Sequence, residues 1–345
     1  MTPQAQSVAI RAWWRVSCLV IAVALTLIGC HQAPADRRAD AEKLTQQIRA
    51  LPGVAGANTD FADRYAEGNV HFWLTVDVSD AATAEQVGAV AARYLDGLRA
   101  VDYGGYDTEL DVRHGADLFA VDSGQRVVAN TAQIVAQARD WVGLRHEFPG
   151  ATVTLRAAVE HSADGSAHPD RGHPSFGVID MPDAGYTAVG AAITGLGAQF
   201  PQLSSGTWTV STSGNAGSAQ ITASQRFPTG QELQVWSVLN ADQTIAHADA
   251  MTINAPQVPP VWISEQVFSH DPATALALAA RHLPTVATLP APLLYTATDQ
   301  LQGHRDYNAR TTGPVAVTLG GCTVRTYRPE PTEQGFINAY ERCRA

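Results

Sequence analysis

Lysine is all but missing from this 345-residue chain: Lys43 is the only one, against 22 arginines. That excludes a phosphate-binding P-loop, which needs a lysine to reach the phosphates. It also excludes a Ser-x-x-Lys nucleophile away from residue 43, and none stands there. Charge of either sign is sparse, at 16% of residues, below the ~25% of ordinary soluble domains. What charge there is leans acidic, net −10, which argues against nucleic acid, whose readers present basic faces. No Gly-x-Ser-x-Gly elbow occurs; Gly172-His173-Pro174-Ser175-Phe176-Gly177 comes nearest and is wrongly spaced. A His-Glu-x-x-His helix motif and a Cys-x-x-Cys pair are also lacking.

Long apolar runs are equally scarce. One stands out, residues 16–29, uncharged, preceded by Arg11 and Arg15 and ending in Leu27-Ile28-Gly29-Cys30. It is shorter than the ~20 residues a spanning helix needs. A basic start, a short apolar stretch and a small residue at its end make a secretory signal. This segment resembles a bacterial lipoprotein signal peptide with its lipobox. The resemblance implies cleavage before Cys30, a diacylglycerol on its sulfur and an acyl group on its new N-terminus. It also implies an anchor on the extracytoplasmic face of the cell membrane. More than one chain suits stable anchoring, since each buried CH₂ contributes only ~0.8 kcal/mol. The arginine bias, with abundant Ala and Gly, resembles that of a high-GC genome, and together with the lipobox resemblance it implies an actinobacterial source.

Four cysteines divide cleanly. Cys18 leaves with the signal and Cys30 takes the lipid. Cys322 and Cys343 remain, an even pair in an oxidising compartment. A disulfide between them would staple the last helix to the sheet and contribute about 3 kcal/mol. Two buried free thiols and a redox pair are the rival readings.

Residues 30–38 read as a short tether. Leu44, Ile48 and Leu51 have helical spacing, ended by Pro52-Gly53. Val70, Phe72, Leu74, Val76 and Val78 alternate as a half-buried strand. Thr83 and Gln86 form a capping box for the next helix, and strands follow at 109–113 and 118–121. The pattern then recurs: a helix at 131–142, strands at 153–159 and 176–179, a helix capped by Asp183, and strands at 207–211 and 218–224. A third pass has a helix capped by Thr229, strands at 250–253 and 261–267, and a helix opened by Asp271-Pro272. Strands at 293–296, 315–318 and 323–327 and a last helix at 331–344 complete it. The fold expected is α+β: two or three similar helix–strand–strand–helix–strand–strand units, with helices on one face of small sheets. The divisions are 1–29 signal, 30–38 tether, then units at 39–126, 127–226 and 227–345. In the first unit the helix, Leu51-Pro52-Gly53-Val54 and the following strand resemble the BON-type domains of bacterial envelope proteins.

Candidates for chemistry are few. His161, Asp164, His168, Asp170 and His173 stand close together, and imidazoles with carboxylates can hold a divalent metal. Their spacing fits no common zinc pattern, and a solvated loop is the competing reading. Asp107, Glu109 and Asp111 share one face of a strand, as paired acids or as charges guarding a sheet edge. Arg145-His146-Glu147 reads as a solvated turn. Trp73 points away from Phe72 and Leu74, either to pack on the neighbouring unit or to mark a binding surface. No catalytic residue and no cofactor is assigned. The expectation is a non-enzymatic envelope lipoprotein that binds or scaffolds. One alternative is a carrier with an internal cavity, the other an envelope hydrolase or metal-dependent enzyme. Expected partners are the membrane, through Cys30, and an envelope protein or a small apolar ligand.

Overall fold

Helices and strands alternate along the described chain. The computed structural model describes residues 35–64, 68–162, 172–182, 184–212, 219–254, 259–299, 304–305, 311–325 and 327–343. The signal segment, Cys30, Asp164, His168 and Asp170 lie outside them. Helix α1 (Arg38–Arg49) precedes β1 (Val54–Arg64) and β2 (Asn69–Val78); α2 (Ala84–Ala100) precedes β3 (Asp107–His114) and β4 (Asp117–Gly124). Then come α3 (Thr131–Glu147) with β5 (Thr152–Arg156) and β6 (Phe176–Asp180), and α4 (Tyr186–Gln199) with β7 (Thr207–Ser211) and β8 (Ala219–Ser224). Next are α5 (Gly230–Ala241) with β9 (His247–Ile253) and β10 (Val261–Val267), and α6 (Pro272–Val286) with β11 (Leu293–Thr298). The two-residue strands β12 (His304–Arg305) and β13 (Thr311–Thr312) pair with each other, and β14 (Val315–Leu319) returns to β11. Helix α7 (Pro331–Tyr340) follows.

The fold is α+β, but the small sheets expected from sequence are joined into one sheet of twelve strands, β1 to β11 in chain order and then β14. Pairing is antiparallel inside each hairpin and parallel across each helix, as for β1–β2 and β2–β3. It runs through both expected boundaries: Leu118–Ala120 pair with Thr154–Arg156, and Ala219–Ala223 with Asp249–Ile253. The physical reason is the edge. A lone hairpin exposes two rows of unpaired N–H and C=O groups, and joining the next hairpin satisfies one of them. At ~4.8 Å per strand the sheet is about 50 Å wide.

One face of the sheet is buried along a continuous line of register partners. Leu74 faces Leu110, Leu110 faces Val121, Phe119 faces Leu155 and Val153 faces Ile179. The line continues through Val210, Ile221, Met251, Ile263, Tyr295 and Val317. These belong to one core with helix residues such as Val87, Trp141, Ile193, Trp236 and Leu283. Two helix starts carry full capping boxes, Thr83 with Gln86 and Thr229 with Glu232, and Asp271 caps α6. Helix α4 is capped by Gly185, not by Asp183, which lies outside the described residues. β1 was not anticipated, and β5 stops at Arg156.

Of the segment 323–327, expected as a strand, the described residues 323–325 and 327 form none. Residues 323–325 run as a strap beside β14, which among the described residues pairs only with β11. The outward amides of β14 are taken by side chains instead: Ala316 N donates to Glu333 and Thr318 N to Glu341, each at 3.1 Å. Arg325 grips Glu341 through two bonds, 2.6 and 3.1 Å, and donates to the Ala316 carbonyl. Cys322 and Cys343 are joined, with Cα atoms 4.8 Å apart, which ties the strap to the end of the chain beyond α7.

Candidate functional site

The face of the sheet opposite the core carries mostly Thr, Ser, Gln and Asp side chains and is acidic toward β1. Trp73 stands there, 40% exposed, rather than packing on a neighbouring unit. Its ring stacks on His71 at 4.0 Å. Its register partners are Asp60 on β1 and Glu109 on β3. Glu109 is flanked on its own face by Asp107 and Asp111 and faces Asp122 across β4. Five carboxylates thus lie within two cross-strand steps of one aromatic ring. The arginines among them are engaged, Arg113 2.6 Å from Asp111 and Arg156 3.7 Å from Glu109, and the His71 ring lies 3.3 Å from Asp60. Partial burial, and then the charge of Asp111, push the Glu109 carboxyl above its ordinary value, with Arg156 opposing. β3 is an interior strand between β2 and β4, so its three acids do not guard an edge. Their cost of mutual repulsion is borne inside the sheet.

A second polar group is sealed in the core. His247 and Asp249 on β9, Glu265 on β10 and His282 on α6 are each at most 3% exposed. His282 Nδ1 lies 2.7 Å from Glu265 Oε1, and the Tyr295 hydroxyl donates to the other Glu265 oxygen. His247 Nδ1 bonds the Ile245 carbonyl at 2.6 Å, which turns Nε2 inward, 3.1 Å from Asp249 but not aligned for a hydrogen bond. Burial lowers the His247 pKa, but the Asp249 carboxylate outweighs it and raises it to about 9. Burial pushes Glu265 up against the pull of His282, and holds Tyr295 far above its usual range. Asp242, with Arg281 at 2.7 Å, closes the outer side, 3.5 Å from His282 Nε2.

Of the loop histidines singled out from sequence, His161 and His173 are described, while His168 lies outside the described residues. His161 Nε2 bonds the Ser123 carbonyl at 3.0 Å, and His173 bridges to Val159. Neither belongs to a three-ligand cluster among the described residues. Arg145-His146-Glu147 is no turn but the last turn of α3. Arg145 is nearly buried there, 2.8 Å from Asp117 and over the Trp141 ring at 4.9 Å. A cleft of about 290 Å³ lies between Leu98, Tyr103, Val127 and Val128, at the small end for ligand pockets. Sequence reasoning missed the core cluster, whose members are far apart along the chain. Its one signal is polar residues at positions where β9 and β10 otherwise alternate inward with Met251, Ile253, Ile263 and Val267. No family model, no curated protein and no solved structure matches this chain.

Proposed function

We propose that this chain is a lipid-anchored envelope protein that binds a basic segment of another envelope protein on the open face of its sheet. The observation that carries the reading is the exposed Trp73 ring among Asp60, Asp107, Glu109, Asp111 and Asp122. An indole face attracts a guanidinium or ammonium within ~6 Å, worth about 0.5–2 kcal/mol according to desolvation. Carboxylates on either side add charge-assisted hydrogen bonds. The lipobox supports the anchor, and the Cys322–Cys343 bond is in keeping with an oxidising compartment. Six helices that begin at residues 38, 84, 131, 186, 230 and 272, each with its hairpin, support a reading of the fold as similar units laid side by side.

The test is calorimetric titration of the detergent-solubilised protein with nona-arginine at low and high salt. Binding that weakens with salt, and that Trp73→Ala lowers about 2- to 30-fold, is expected. Absence of heat, or equal affinity in Trp73→Ala, would refute the reading. For the anchor, the intact mass of the membrane form should start at Cys30 and carry acyl chains, and Cys30→Ala should remain unprocessed. An unmodified Cys30 would remove the anchor from the account.

A further inference from the structure

We propose that His247, Glu265 and His282 form a site for one divalent transition-metal ion of the zinc class, completed by Asp249. The three side chains come from β9, β10 and α6, and each offers a ligand atom within 4.8 Å of the other two. A tetrahedral ion with bonds of about 2.0–2.2 Å needs its ligands about 3.4 Å apart. The ligand atoms of His282 and Glu265 are 2.7 Å apart and the whole set lies within 4.8 Å, a range that brackets that spacing. Imidazole with carboxylate suits zinc better than calcium or magnesium, which take oxygen alone.

Three further observations point to an ion rather than to packing. First, polar atoms are buried there without hydrogen-bond partners: Nε2 of His247 and both carboxylate oxygens of Asp249, while His282 presents Nδ1 to Glu265 and turns Nε2 outward toward Asp242. Unsatisfied groups of this kind are rare in native cores and costly to keep. Second, Asp249 and Glu265 are direct register partners on the core face, so two carboxylates confront each other in low dielectric. A divalent cation neutralises both. Third, the surrounding groups are placed as outer supports of a metal site. His247 donates from Nδ1 to a backbone carbonyl, and Tyr295 donates to Glu265. Such bonds fix the ring and carboxylate that face the ion. The site is closed to solvent, which assigns the ion a structural role that clamps α6 onto β9 and β10.

The experiment is chelation of the purified full-length protein, followed by equilibrium dialysis against Zn²⁺ and elemental analysis. One Zn²⁺ per chain and a raised melting temperature are expected. Co²⁺ in its place should give the intense visible absorption of tetrahedral coordination. Glu265→Gln should lower affinity at least 100-fold. Tyr295→Phe keeps its ring in the core and should weaken binding about tenfold, so the test stands even where Glu265→Gln fails to fold. His161→Gln with His173→Gln should leave binding unchanged. A folded wild-type protein that retains no Zn²⁺ overturns the proposal. So does binding that the histidines at 161 and 173 abolish, or that Tyr295→Phe leaves untouched. Those outcomes would make the cluster buried polar packing alone, His282 on Glu265 and His247 beside Asp249.

Discussion

Replacing Arg325 with alanine should open the C-terminal edge of the sheet without unfolding the rest. The guanidinium is 11% exposed and Glu341, its partner, 2%. Two hydrogen bonds join them, a third reaches the Ala316 carbonyl, and Glu333 lies 3.9 Å away. Alanine leaves two carboxylates beside β14 with no counter-charge. Loss of one partner from a buried ion pair costs about 3–5 kcal/mol. The lower figure is appropriate, because Thr318 N still donates to Glu341 and Tyr327 to Glu333. At 1.4 kcal/mol per tenfold, about 3 kcal/mol raises the local opening constant roughly 100-fold. The Cys322–Cys343 bond keeps the strap attached, so the opening stays local. Amide hydrogen exchange reads it directly. The amides of Ala316 and Thr318 point away from β11 and are protected only by the two glutamates, so both should exchange about 100-fold faster in Arg325→Ala. Amides of interior strands such as β7 should keep their rates. Unchanged exchange at Ala316 and Thr318 would refute the idea that side chains seal this edge.

Other expectations follow from the same kind of contact. Thr83→Ala and Thr229→Ala each remove the hydroxyl of a capping box and should cost about 1 kcal/mol by chemical denaturation. Burial raises the Glu232 pKa, but Arg226 and the Thr229 amide outweigh it and depress it below the ordinary carboxylate value. A depressed carboxylate stabilises the fold above its unfolded value and loses that contribution as pH falls through the folded one. Stability of the wild type should therefore fall more steeply below about pH 4 than that of Glu232→Gln. Replacing Cys322 and Cys343 together by serine should lower stability by about 3 kcal/mol on the loop-closure model, read as an earlier denaturation midpoint.

The helices were legible because their signals are local. Thr83 with Gln86, Thr229 with Glu232, and Asp271-Pro272 each place a cap and an acceptor within one turn, and each cap formed. β2 was legible through its alternation. β1 was not, since its inward positions include Ala57, Thr59 and Asp63, too small or too polar for a period of two to show. Residues 323–327 misled in the other direction. Thr323, Val324 and Tyr327 favour strands, yet Val324 is 83% exposed and Arg325 serves a neighbouring edge by its side chain. Continuity of the sheet depends on pairing between hairpins, which leaves no mark in local sequence. The open-face acids were visible as Asp107, Glu109 and Asp111. Their assembly with Asp60, Asp122 and Trp73 required the register across β1 to β4. The core cluster is spread from residue 247 to 295, with no spacing a motif could capture.

Among the tryptophans of the described residues only Trp73 is substantially exposed; Trp141, Trp208, Trp236 and Trp262 are buried. Fluorescence quenching by small ions therefore tests the cation-receptor face without knowledge of the partner. Caesium should quench the wild type far more strongly than iodide, Trp73→Ala should lose the caesium effect, and nona-arginine should shield it. Equal or stronger quenching by iodide, or caesium quenching that survives Trp73→Ala, would contradict the account.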